Sequence, residues 1–341
     1  MQQISSKEAI KNYQQNNYNK WCSTGKPDPS LASNRLLNDI YEPVIIPEFK
    51  FLRSDKVFTI GSCFARGLEN ALSADKIEVL SITDIFDKYP LLKEGSTRQG
   101  YMNKYNVYSI YYELLWAFEN LNLDGKYFVE MTDNVFVDLH TNHTLVPSDF
   151  ERTLEKRKNL RTLFLKIKDC RLLTITLGLT ETWYDTENGV YLNMTPHPII
   201  LNKFPGRFEL RILNYEENFS ILEKIFKLLN KHCDGLDIVI TVSPVPMQTT
   251  FTNKDVIIAN MTTKSTLRTV ADAWANIHSN VHYFPGYEIA MLSNQQIIWN
   301  KDRRHLKGAL AQYIMEVYKK NYLSGYDNWS DKMDRFIKLL Y

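Results

Sequence analysis

Cysteine is scarce in this 341-residue chain, and the four that occur, Cys22, Cys63, Cys170 and Cys233, lie far apart. No CxxC pair and no Cys/His cluster at zinc-ligand spacing is present. That excludes the common zinc sites and a disulfide framework, and it predicts a reducing compartment and no bound metal. No apolar run reaches membrane-spanning length, so no transmembrane helix is expected. The opening stretch MQQISSKEAIKNYQQNNYNK is polar, mixed in charge and without the apolar core of a signal peptide. An excess of one charge is lacking too: 41 Lys and Arg face 39 Asp and Glu. The resulting +2 leaves no footprint for nucleic acid or an anionic membrane. Internal repeats and low-complexity blocks are absent. The expectation is a cytoplasmic protein of bacterial type, with peripheral attachment at the inner membrane through a partner left open.

What the chain has is a core-forming composition, 44% hydrophobic and 23% charged, with 20 Tyr, 17 Phe and 6 Trp. Most of those rings belong to a core, and some can line a glycan or acyl site. Residues 1–50 are polar and turn-rich and read as an extension packed on the core. From Lys56 short β-branched runs alternate with helical periodicity. Strands are expected at 56–60, 77–82, 171–178, 237–242 and 281–284. A hairpin is expected in 126–139, around a Thr-Asp-Asn turn. Helices are expected from Phe64 onward, at 106–121, 149–169 (capped by Ser148 or Asp149), 215–232, about 254–277, and 308–322. The pattern predicts a three-layer α/β/α sandwich with a five-stranded, mainly parallel sheet and helical insertions. The domain reading is an extension at 1–50, a catalytic domain at 51–325 with a helical and hairpin insertion at about 84–165, and a tail at 326–341.

In such a sheet, ligands bind beyond the carboxyl ends of the strands. The loops there hold the chemistry. Gly61-Ser62-Cys63 comes after the first strand, with Gly61 free to turn and Ser62 suited to cap the next helix. A cysteine in the first helical turn faces free N–H groups and the positive dipole end, which favours thiolate. The plain alternative is a small buried hydrophobe. After the last strand, Asp302 and His305 stand three apart. One turn can then bring the carboxylate to a ring nitrogen, fix the tautomer and free the other nitrogen as a base. A solvated turn beside Arg303 and Arg304 is the alternative. In LGLTETWYD, the Gly178 N–H and Thr180 hydroxyl, with the Cys63 N–H, can form an oxyanion hole. Glu181 and Trp183 can close the pocket or bind an acceptor. Strand-end capping is the competing reading.

FTIGSCFA (58–65) is the signature of the GSCFA-domain family, which this chain resembles. YNVYSI (105–110), TLGLTETWY (176–184), TPHP (195–198), TVSPVP (241–246), KSTLR (264–268), YFPGYEI (283–289) and DRRH (302–305) come next in the family's order. The resemblance spans roughly 45–320. That family is similar to SGNH or GDSL hydrolases, which share a five-stranded, flavodoxin-like α/β/α sandwich. The resemblance implies Cys63 as nucleophile, with Ser62 at the position of the hydrolases' Asp, and Asp302 and His305 as the terminal Asp-x-x-His block. Gly178-Leu179-Thr180-Glu181 stands for the oxyanion block, and Asn106 for the lone-glycine block's role. In the other register Ser62 attacks and Cys63 packs. His197, in TPHP, is implied as an acceptor-binding residue or second base, against a structural histidine. Thr180 stands where the hydrolases have Asn, and Leu306 comes after His305 where GSCFA proteins usually have Pro.

With cysteine in place of serine, the resemblance implies acyl transfer. A coenzyme A thioester would be the co-substrate, with no bound cofactor, and a sugar hydroxyl of a surface polysaccharide or its precursor would be the acceptor. An esterase with the same triad, or a non-catalytic glycan-binding domain, are the alternatives, since fold does not fix function. Lys264 and Arg268, at i and i+4, are candidates for the donor's phosphates or for a solvated helix face.

Overall fold

The protein is described from a computed structural model over residues 3–23, 28–119, 121, 125–327 and 329–341. Residues 24–27 of the expected extension, residue 120 of the expected helix 106–121 and residue 328 of the expected tail lie outside the described residues. Two compact units are formed, one by 51–284 and the other by 1–50 with 285–341.

Along the chain, helices α1 (Ser6–Gln15) and α2 (Ala32–Arg35) precede β1 (Val57–Ile60), α3 (Cys63–Ala74) and α4 (Val107–Phe118). The hairpin β2 (Phe128–Thr132) and β3 (Val135–Asp138), α5 (Phe150–Leu165), β4 (Leu172–Leu177), β5 (Glu181–Asp185) and β6 (Val190–Tyr191) are next. Then come α6 (Pro198–Lys203), β7 (Phe208–Ile212), α7 (Tyr215–His232), β8 (Asp237–Val242), α8 (Val256–Ile277) and β9 (Val281–Tyr283). Helices α9 (Gly286–Leu292), α10 (Gly308–Tyr322) and α11 (Trp329–Lys338) close the chain.

The 51–284 unit is built on a parallel sheet ordered β1-β4-β8-β9 and flanked by helices. VFTI, LLTITL and DIVITV are buried at every position. Continuous apolar runs of this kind are what a sheet covered on both faces requires. The layered α/β class is as expected, but the sheet has four strands, not five. The stretch expected as a strand at 77–82 makes only a single parallel bridge, Val79 to Val57. Val57 N–H donates to Glu78 O and Leu80 N–H to Val57 O, and there the ladder stops. The next donor, Thr59 N–H, turns to the Ser81 hydroxyl at 3.2 Å. A side chain has taken the place of the next rung.

Antiparallel β6-β5-β7 forms a separate three-stranded sheet, so ETWYD (181–185) is a strand and not the loop expected there. The β2–β3 hairpin turns at Asn134 with φ of 56°, a backbone region that asparagine tolerates.

Buried between hairpin and helices is an ionic cluster. Lys104 Nζ donates to Glu113 Oε1 (2.5 Å) and to His140 O (2.5 Å). Arg157 donates to Glu113 Oε1 (2.6 Å) and to Asp138 Oδ2 (2.6 Å). All four side chains are buried. Two cations facing two carboxylates leave no net charge, the condition under which such burial is tolerated.

In the other unit, Asn294 and Ser293 bind the backbone and side chain of 39–41, and Glu42 receives Lys320 and Tyr313. These bonds anchor the N-terminal extension to the end of α9 and to α10. No helix among the described residues is long and apolar enough to cross a membrane.

Candidate active site

In the 51–284 unit the site begins at the elbow between β1 and α3. Gly61 sits at φ of 146°, and a Cβ there would come within 2.6 Å of Thr176 Cβ and Thr176 O. Only glycine lets the elbow pass this close to β4. Ser62 is the N-cap of α3. Its buried hydroxyl accepts from Phe64 N–H (3.4 Å) and donates to Ser243 Oγ (3.3 Å). Cys63, the first residue of α3, is exposed. Cys170 and Cys233 are buried, and burial pushes their thiols up to about 12 and about 11. They behave as small core hydrophobes.

One turn into α3, Arg66 lies against β1. Its Nη2 donates to Thr59 O (3.2 Å) and its Nη1 pairs with Glu69 (2.8 Å). Glu69 also accepts from Thr59 Oγ1 at 2.7 Å, so the cation and its carboxylate both fasten the helix to the strand. Burial pulls the Arg66 guanidinium below its ordinary value, while Glu69, then Cys63 and Tyr105, pull it back. Arginine remains cationic through such a shift. Cys63 and Tyr105 therefore lie in the field of a fixed positive charge.

The backbone at 104–105 stitches the two strand ends together. Lys104 N–H donates to Gly61 O (2.9 Å), and Leu179 N–H donates to Tyr105 O (2.7 Å). A Cβ on Gly178 would stand 2.8 Å from that Tyr105 carbonyl, which explains the glycine. The Gly178 carbonyl accepts from Lys264 Nζ at 3.0 Å. Lys264 is fully buried, so the expectation that it meets donor phosphates is corrected: its stem is enclosed and its ammonium holds the 178–179 peptide. Arg268, a turn later, lies over the Tyr283 ring and pairs with Asp272.

The remaining expected residues separate by location. Thr180 is buried and its hydroxyl is shared with Thr263 (2.9 Å). Asn106 caps α4, accepting from Ser109 N–H (2.9 Å) and giving its amide hydrogens to Thr182 Oγ1 and Leu192 O. Glu181 accepts from Thr250 Oγ1 (2.5 Å) and Phe251 N–H (3.1 Å), and Trp183 packs edge-on to Phe251. His197 caps the short α6 through Nδ1 and lines a cavity away from the elbow, beside His143. Ser243, Tyr105 and Arg66 are not singled out by sequence reasoning. TVSPVP, at the end of β8, is the available signal for Ser243.

The other unit carries the Asp302–His305 pair, in the turn before α10. His305 Nδ1 and Asp302 Oδ2 are 2.6 Å apart, and Asp302 Oδ1 accepts from the backbone N–H groups of Arg304 (3.1 Å) and His305 (3.0 Å). The His305 ring contact, then these two backbone donors, hold Asp302 well below the usual carboxylate range. Arg304 Nη1 stands 3.0 Å from His305 Nε2. For both contacts to be hydrogen bonds the proton is on Nδ1 and the lone pair on Nε2, the tautomer a general base needs. Both side chains are 49% exposed, so solvent and substrate can reach them. No group of His, Cys, Asp and Glu able to hold a metal occurs among the described residues.

The model of the GSCFA family matches residues 56–318. No curated protein gives a match to this chain.

Proposed function

The chain belongs to the GSCFA family, and we propose that it is an acyltransferase that works through Cys63. The observation that carries this reading is the elbow itself. An exposed sulfur stands at the first position of α3, while the neighbouring Ser62 hydroxyl is buried in a cap and a bond to Ser243. That division favours Cys63 over Ser62 as nucleophile. The sulfur stands at the positive end of the α3 dipole.

In the proposed cycle the Cys63 sulfur attacks the carbonyl carbon of a coenzyme A thioester. A new S–C bond forms, the donor's S–C bond breaks, and the thiol proton ends on the departing coenzyme A sulfur. A sugar hydroxyl then attacks the acyl-cysteine. The hydroxyl proton goes to a base and ends on the Cys63 sulfur, and the family's terminal Asp-x-x-His block assigns that base to His305, oriented by Asp302. The N–H groups of Cys63 and Gly178 are assigned to the oxyanion, with Thr180 backing that loop through Thr263. Thioesters transfer to alcohols readily, and water as acceptor would give the esterase reaction. A polysaccharide acceptor and a cytoplasmic place of action belong to this same proposal.

The test is acetyl-CoA with the full chain, read by intact mass and peptide mapping. An acetyl group on Cys63 and free coenzyme A are expected. Coenzyme A release that persists in Cys63→Ala sinks the mechanism.

A further inference from the structure

A cavity of about 180 Å³ lies under the β2–β3 hairpin, within the 51–284 unit and apart from the Cys63 elbow. Its walls are mostly apolar, with Leu92, Phe136, Leu145 and Ile200 from four separate stretches of chain. An apolar hole of about 150 Å³ is enough to hold a benzene-sized guest. Polar groups break the apolar wall, Lys156 and His143 among them. Lys156 is buried, and two of its ammonium hydrogens go to Val146 O (2.9 Å) and Ser148 Oγ (3.0 Å). No carboxylate pairs with it among the described residues. His143 presents Nε2, buried and without a hydrogen-bond partner. The one acid in the wall, Asp138, is already engaged by Arg157 and by the His140 N–H. His197 stands at the edge with Nδ1 accepting from Ile199 N–H, which puts the proton of the neutral ring on Nε2.

A buried ammonium with no carboxylate in ion-pair contact among the described residues, lining the same cavity as an orphaned imidazole nitrogen, is an unfavourable arrangement unless something completes it. An apolar hole of this size sets the shape of what does. We propose that the cavity binds a small monocarboxylic acid with an apolar body, its carboxylate held by Lys156 and His143. An amine would meet Lys156 repulsively, and a neutral alcohol would leave the ammonium unpaired. The site stands independently of the chemistry at Cys63.

Benzoate and benzyl alcohol, alike in shape and different in charge, test this by calorimetric titration of the full chain at pH 7. Saturable binding of benzoate is expected, at least tenfold tighter than benzyl alcohol. Lys156→Met should weaken benzoate tenfold or more and change benzyl alcohol less than twofold. His143→Phe, a second route should Lys156→Met not fold, should weaken benzoate at least fivefold. Ile200→Trp, which fills the hole, should abolish both. Cys63→Ala should bind benzoate as the wild type does. Equal affinity for the two probes, no saturable benzoate binding, or benzoate affinity that survives Ile200→Trp or both polar substitutions in folded protein overturns the proposal.

Discussion

At the scale of the residue, Gly61 and Lys156 make opposite demands. Gly61 is required by space and backbone: φ of 146° and a would-be Cβ 2.6 Å from Thr176 leave no room for alanine. Gly61→Ala should lose about 2–4 kcal/mol of stability from strain and overpacking, read as a lower urea midpoint. Lys156 is strained electrostatically. Burial first, then Arg152, bring it from its ordinary 10.5 to about 8, with Asp149 and Glu155 opposing. His143, His197 and Asp138 line the same cavity. Its folded value lies below its unfolded one, so between those limits the unfolded chain holds more protons and stability rises with pH. Lys156→Met should therefore flatten the rise in urea midpoint between pH 8 and 10 relative to wild type. An identical slope in both proteins contradicts this.

At the scale of the element, α3 delivers the thiol, and Thr59, Arg66 and Glu69 lock α3 to β1. Glu69→Gln keeps the shape and removes the charge opposite Arg66. It should cost about 1–3 kcal/mol through the uncompensated guanidinium, read as a lower urea midpoint. An unchanged midpoint would remove Glu69 from the brace between α3 and β1. Element by element, β1, β4, β8 and β9 are legible because each is a short run dominated by apolar and β-branched residues. The 77–82 stretch has the same composition, and a single hydroxyl, Ser81, decides that it does not continue the ladder. ETWYD reads as a loop because the rule about strand ends says nothing of an antiparallel strand that begins a few residues later. Lys264 escapes the sequence because i,i+4 spacing names a helix face without saying whether that turn is covered. The cavity is beyond sequence reading altogether, as its walls meet only in three dimensions.

At the scale of the whole molecule, the thiol and the Asp302–His305 pair belong to different compact units of one chain. The proposed chemistry depends on both. Asp302 is exposed, so Asp302→Asn should leave the urea midpoint close to that of wild type. It should nevertheless lower acyl transfer by about 10²–10⁴-fold, because asparagine no longer fixes the His305 tautomer. Turnover and unfolding measured on the same preparation check this, and undiminished turnover removes His305 from the mechanism. That the ordered motifs from 58 to 305 point to one family is readable from the sequence, and the family match bears it out. The distribution of those motifs over two units is not readable there.

The four buried charges at Lys104, Glu113, Asp138 and Arg157 have a consequence for how the sequence can drift. Removing any one leaves its partner charged and dry, a step of about 3–5 kcal/mol, whereas replacing matched partners together by apolar residues can be nearly neutral. Lys104 also carries the backbone N–H that holds the Gly61 carbonyl, a bond that any residue but proline keeps. Among descendants of this chain, these positions should be exchanged in pairs and seldom one at a time.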